Sequence, residues 1–85
     1  MPAKSFIVRR SAAKQLSKLP FNIHGKVILA FRTLQSYPTM GSKLKGSLSD
    51  LYKFRVGDYR IIYSFDSKQS LVVILKIEHR QGVYK

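Results

Sequence analysis

The sequence predicts an α+β fold: a small twisted antiparallel sheet, built from an N-terminal strand and a C-terminal three-stranded meander, with an αα-hairpin packed on one face. Three observations predict it. A short β-branched and aromatic run opens the chain, two helical periodicities separated by a proline follow, and beyond residue 51 the apolar period changes to two. The 85 residues make a single domain, 1–85, with no repeat, low-complexity tract or linker to divide it.

The opening run Ser5-Phe6-Ile7-Val8-Arg9 reads as a strand. Ser11 follows as a helix N-cap, and Ala12, Leu16 and Leu19 then recur on one helical face while Lys14 and Lys18 point away. Pro20 ends that helix. Asn22 caps the next, whose apolar stripe is Ile23, Val27, Ala30, Phe31 and Leu34, running up to Tyr37-Pro38. Residues 38 to 50, with Pro38, Gly41, Gly46 and several serines, read as a basic loop carrying Lys43 and Lys45.

Tyr52, Phe54 and Val56 then alternate with Lys53 and Arg55, so the apolar side chains face a core and the cations face the other side. Gly57-Asp58 is a two-residue hairpin turn with glycine first, as a type II′ turn prefers. The returning strand places Tyr59, Ile61, Tyr63 and Phe65 on one face. Its other face carries Arg60, Ile62 and Ser64, beside the cations of its neighbour. After a turn at Asp66 to Gln69, Leu71 to Ile77 is nearly all apolar, as expected of a central strand covered on both faces.

Charge narrows the function. Sixteen Lys and Arg against four Asp and Glu give a net charge of +12, and residues 1–42 hold seven basic residues and no acidic one. Such a field attracts polyanions. The absence of cysteine excludes disulfides, thiolate metal sites and cysteine nucleophiles. No apolar run has the length of a spanning helix and no signal peptide is recognisable, so a cytoplasmic location is expected, with no membrane partner because the helical apolar stripes are needed for the core.

No metal-ligand cluster is visible in the sequence: the four acids are scattered, and His24 and His79 lie far apart. Neither a Gly-x-Ser-x-Gly nucleophile motif nor a phosphate-cradling glycine loop occurs, and no cofactor or metal is implied. The chemical asset is a set of cations, Lys53, Arg55 and Arg60, with Arg80 at the end of the last strand. Solvent exposure is the ordinary fate of any one of them. Four facing one groove would hold a scissile phosphate, because guanidinium groups pair bidentately with phosphoryl oxygens and stabilise the charge of a pentavalent transition state. Tyr84 could then stack on a base, and Lys53 or His79 could move protons.

The segments Lys43-Leu44-Lys45-Gly46, Leu51-Tyr52-Lys53-Phe54-Arg55-Val56-Gly57-Asp58-Tyr59-Arg60-Ile61-Ile62-Tyr63, and His79-Arg80 with Val83-Tyr84 resemble the RelE branch of the RelE/ParE toxin superfamily. The resemblance spans essentially the whole chain and implies a RelE-like fold. It implies a type II toxin–antitoxin toxin: a metal-independent endoribonuclease that cleaves mRNA in the ribosomal A site, leaves a 2′,3′-cyclic phosphate and stops translation. Lys53 then matches a lysine of the catalytic face, Arg60 the arginine that stabilises the transition-state phosphate, Arg80 an arginine acting as general acid, and Tyr84 a tyrosine that orients RNA. Arg55 departs from the family's lysine; an arginine does not readily give up its proton, so it binds phosphate instead. The general base stays open between Lys53 and His79, and His79 has an equal reading as a packed neutral histidine beside Leu75 and Ile77.

The implied partners are an acidic RelB-like antitoxin, the ribosome and mRNA, with operator DNA bound only indirectly through the antitoxin complex. Lys43, Lys45, Lys14, Lys18 and Lys26 are candidate ribosome contacts, and His24 reads as a surface residue. The alternative is a toxin like those of the ParE branch, inhibiting DNA gyrase without cutting RNA; that branch generally lacks the set Lys53, Arg60, Arg80 and Tyr84.

Overall fold

A computed structural model of the chain describes residues 2–44 and 51–79. Lys45, Arg80 and Tyr84 lie outside them. Within the described residues the chain runs β1 (Ser5–Val8), α1 (Arg10–Ser17), α2 (Phe21–Ser36), β2 (Ser42–Lys43), β3 (Leu51–Val56), β4 (Tyr59–Asp66) and β5 (Leu71–His79). The strands form one sheet in the order β1-β5-β4-β3-β2.

The sheet is mixed rather than antiparallel throughout. β1 lies at one edge and pairs in parallel with β5, Ser5 opposite Leu71 through Val8 opposite Ile74. Two helices cross the sheet face between β1 and the meander, and that crossover lets the last strand return beside the first in the same direction. The expected loop 38–50 contains the two-residue β2, which pairs antiparallel with β3 at Ser42 opposite Lys53 and Lys43 opposite Tyr52. At the β3–β4 turn Val56 stands opposite Tyr59, and Gly57 has φ +59°. Asp58 has no positive φ, so the pair fits the expected type II′ turn.

Both expected helices form, but each begins earlier than its serine or asparagine signal. α1 starts at Arg10 after Arg9, and α2 starts at Phe21 after Pro20, with no side-chain cap at either. Proline at the α2 boundary has no N–H to leave unsatisfied and its fixed φ suits a helix start. Ser11 is used differently: its Oγ donates to the Leu75 carbonyl at 3.0 Å.

The core lies between the helices and one sheet face. Ala12, Val27, Ala30, Phe31 and Leu34 meet Ile61, Tyr63, Val72, Ile74 and Ile77, with Phe6, Val8, Leu16, Leu19, Ile23, Tyr52 and Phe54 packed around them. The predicted stripes therefore point inward as expected. His24 is partly buried on α2 rather than fully exposed. The expectation that β5 is covered on both faces fails: helices cover only the side of Val72, Ile74 and Ile77, while Val73 and Leu75 remain partly exposed.

β5 outruns its edge partner, and α1 completes its hydrogen bonding. The Arg9 N–H donates to the Ile74 carbonyl at 3.0 Å, Ser11 takes the Leu75 carbonyl, and the Ile77 N–H donates to Gln15 Oε1 at 2.8 Å. Replacing Gln15 with leucine leaves that N–H without its partner beside the buried Ile77. A loss of about 1–2 kcal/mol in urea unfolding is expected, with faster hydrogen exchange at the Ile77 amide. Unchanged exchange there would show that Gln15 does not hold this end of β5.

Candidate functional site

Strand register lays out the open sheet face as rungs. One rung runs Ser42, Lys53, Ile62, Lys76 across β2, β3, β4 and β5; the next runs Arg55, Arg60, Glu78 across β3, β4 and β5. Lys53, Arg55 and Arg60 line an open basin of about 300 Å³ together with Ser42. Lys53 and Arg55 are exposed and Arg60 is half-buried. Arg55 and Arg60 stand directly opposite each other, a repulsive pairing that an anion bound between them would relieve. Ile62 is only 7% exposed although it faces away from the helices, so the stems of its long neighbours shield it.

A β-bulge in β5 decides which later side chains join this face. Ile62 pairs with Lys76 but Tyr63 pairs with Ile74, leaving Leu75 as the extra residue. Straight alternation from the buried Val72 and Ile74 would have sent Lys76 and Glu78 inward. The bulge reverses the phase, so Ile77 enters the core and Lys76 and Glu78 emerge beside the cations, joined by an ion pair at 3.0 Å.

His79 takes the opposite side from the cations. Its ring lies against Tyr59, centroids 4.6 Å apart and tilted by 56°, and Tyr59 packs on the core. The structure thus brings Lys53, Arg55 and Arg60 together and leaves His79 out of the basin. Lys43 alternates to the Tyr52 side of the β2 edge, and Lys14, Lys18 and Lys26 are exposed on or beside the helices, across the sheet from the basin. Sequence reasoning missed Ser42, Lys76 and Glu78. A two-residue strand and a one-residue bulge leave no periodic signal.

The rim carrying Ser42 is fixed from beneath by Tyr63. This fully buried ring stacks on Tyr52, centroids 5.3 Å apart; its hydroxyl donates to the Pro38 carbonyl at 2.7 Å and accepts from the Gly41 N–H at 3.1 Å. Burial pushes the Tyr63 phenol above its ordinary pKa, against the Gly41 hydrogen bond that lowers it, with Tyr52 adding a further upward push. The unfolded chain therefore ionises this phenol first as pH rises, and stability present below about pH 10 is lost above it. Wild type is expected to lose stability more steeply than Tyr63→Phe between pH 10 and 11.5 in denaturant titrations. Equal slopes would mean Tyr63 plays no part.

Comparison with known proteins places these features. The family described as ParE toxin of type II toxin–antitoxin systems, parDE, matches residues 6–84. Toxin RelG of Mycobacterium tuberculosis is 35% identical over 77 residues, covering 88% of each chain, and toxin RelE of the same organism is 31% identical over 80 residues, covering 92% of this chain and 82% of the relative. Among solved structures, the RelBE2 toxin–antitoxin complex of M. tuberculosis contains a chain with TM-score 0.81 and 33% identity, covering 94% of this chain and all of that one. The archaeal RelE–RelB complex of Pyrococcus horikoshii gives TM-score 0.80 at 30% identity, covering 94% and 97%. Isolated E. coli RelE, at 18% identity and TM-score 0.77 over 93% and 88%, shares the fold.

Proposed function

Because the chain belongs to the RelE branch of the RelE/ParE superfamily and is a RelE-like toxin of the type II toxin–antitoxin class, we propose that it cleaves mRNA in the ribosomal A site, without a metal, through attack of the substrate's own 2′-hydroxyl. The observation that carries this reading is the basin of Lys53, Arg55 and Arg60 on the uncovered sheet face. A phosphodiester seated there meets two guanidinium forks and an ammonium, and these stabilise the extra negative charge of the pentavalent state. The products are a 2′,3′-cyclic phosphate and a 5′-hydroxyl. Arg80, the next residue after β5 in sequence, and Tyr84, four positions further on, are assigned the roles of leaving-group acid and RNA-orienting ring by their match to the family pattern.

The partner that silences the toxin is an acidic RelB-like antitoxin, and operator DNA is reached only through that complex. Relatives solved as complexes with RelB support this, as do seven basic residues without an acid in residues 1–42. The outer side of α2 also leaves Phe21 96% and Leu29 61% exposed, apolar surface that an antitoxin segment can cover. Lys14, Lys18, Lys26, Lys43 and Lys45 supply field for the antitoxin or for ribosomal RNA. Among the described residues no helix is long and apolar enough to cross a membrane. The proposed site of action is the cytoplasm.

The test is a digest of one mRNA by purified toxin in EDTA, with and without programmed ribosomes, mapping cut sites and end groups. Ribosome-dependent, codon-phased cuts ending in cyclic phosphate are expected. No cutting by a folded, toxic chain would overturn the reading in favour of gyrase inhibition.

A further inference from the structure

We propose that Glu78 is the proton acceptor for the 2′-hydroxyl, held in place by Lys76; this rests on the nuclease reading above. A general base must present a lone pair, and lysine and arginine side chains in their charged forms have none to offer. The basin is lined by Lys53, Arg55, Arg60 and Ser42, and His79 is turned to the other side of the sheet against Tyr59. Glu78 is the carboxylate that the β5 bulge delivers to this face, directly opposite Arg60.

The other described carboxylates are poorly placed. Asp66 shares the face but lies six residues along β4 from Arg60, about 20 Å away, and its Oδ1 accepts from the Lys68 and Gln69 N–H groups. Asp58 sits exposed at the tip of the hairpin turn, where it lines a small recess on the turn side of Arg55 and Arg60 rather than the basin itself. Glu78 is instead partly buried at 28% exposure, with Oε2 on the Lys76 ammonium at 3.0 Å, leaving Oε1 for a substrate. The charged groups around it are Lys76 on its own strand, Arg60 opposite on β4 and Arg55 beyond on β3. Neighbouring strands stand about 4.8 Å apart, so when a phosphate over Arg55 and Arg60 has the ribose of its 3′-oxygen on the β5 side, that 2′-hydroxyl is within the reach of the Glu78 side chain.

In this step Glu78 takes the 2′-hydroxyl proton as the 2′-oxygen bonds to phosphorus and the P–O5′ bond breaks. The departing 5′-oxygen takes its proton from the leaving-group acid named above, and that acid is re-protonated from water as Glu78 gives up the proton it took, so the site returns to its starting state. Atoms and charge balance without a metal or redox partner.

Single-turnover cleavage on programmed ribosomes between pH 6 and 8.5 tests the assignment, using wild type, Glu78→Gln, Glu78→Asp and, as a control at the far end of β4, Asp66→Asn. With a carboxylate as base the wild-type rate should be flat across this range, as should that of Asp66→Asn. Glu78→Gln should be slower by on the order of 100-fold at pH 7 and rise about tenfold per pH unit as hydroxide takes over, while Glu78→Asp restores the flat profile. Melting curves confirm that each variant is folded. A flat profile in Glu78→Gln, at any rate, would overturn the proposal, as would a wild-type rate that already climbs tenfold per unit. Absence of cleavage by wild type would instead remove the nuclease reading, and this step with it.

Discussion

Arg60→Ala is expected to slow ribosome-dependent cleavage by a factor of about 100 or more, because one preorganised donor to a developing oxyanion is typically worth about 3 kcal/mol. Among the three basin cations Arg60 is the half-buried one, and it stands between Arg55 and Glu78 on a rung of paired strands. Its backbone is set by pairing with β3 on one side and β5 on the other, so its side chain leaves the sheet at a fixed point beneath the basin. Arg60→Lys keeps the charge but not the bidentate fork, and an intermediate rate is expected. The measurement is single-turnover cleavage of ribosome-bound mRNA, with antitoxin binding as a check on folding. An alanine variant that binds antitoxin and cuts at the wild-type rate would remove Arg60 from catalysis.

The largest expected loss of stability comes from a single methyl group at Gly41. A Cβ there would lie 2.5 Å from the Lys53 carbonyl and 2.7 Å from the Tyr63 hydroxyl. Neither neighbour can yield cheaply. The first is backbone of a central ladder strand, and the second is the buried phenol that bonds both the Pro38 carbonyl and the Gly41 N–H. Relief requires β2 to part from β3 or Tyr63 to give up its partners, so overpacking and lost hydrogen bonds act together. Gly41→Ala should cost about 3 kcal/mol and lower Tm by on the order of 15 °C. The same displacement carries Ser42 off the basin rim, so residual folded protein should also cleave more slowly. A Tm within a few degrees of wild type would show that the 38–44 segment moves aside freely.

These two expectations differ in how far they could be read from the chain alone. Arg60 was legible: the alternation of Tyr59, Ile61 and Tyr63 against Arg60 sets its face, and the Gly57-Asp58 turn sets its register against Arg55. Gly41 was not. It read as one glycine of a loop, and its importance comes from the approach of Lys53 and Tyr63, residues 12 and 22 positions later.

His79 and Glu78 show the same divide within two adjacent residues. A strict period of two over Leu71–His79 gives each residue a face only if the ladder is unbroken, and the extra residue at Leu75 exchanges the faces of everything after it. Local preferences do not announce such a bulge. It arises where α1 replaces β1 as the edge partner of β5, through Ser11 and Gln15, a contact between segments more than sixty residues apart.

The α+β class, the helical hairpin with its inward stripes, the antiparallel meander, the basic charge and the cations of β3 and β4 were readable from the chain alone. Each of these follows from residues a few positions apart, through helical or strand periodicity and turn chemistry. Long-range contacts set the parallel run of β1 beside β5, the strand at Ser42 on the basin rim, and the placing of Glu78 rather than His79 on the face of Arg60. Those outcomes depend on register and backbone approach between distant segments, where a shift of one residue reverses a side chain without any change in local pattern.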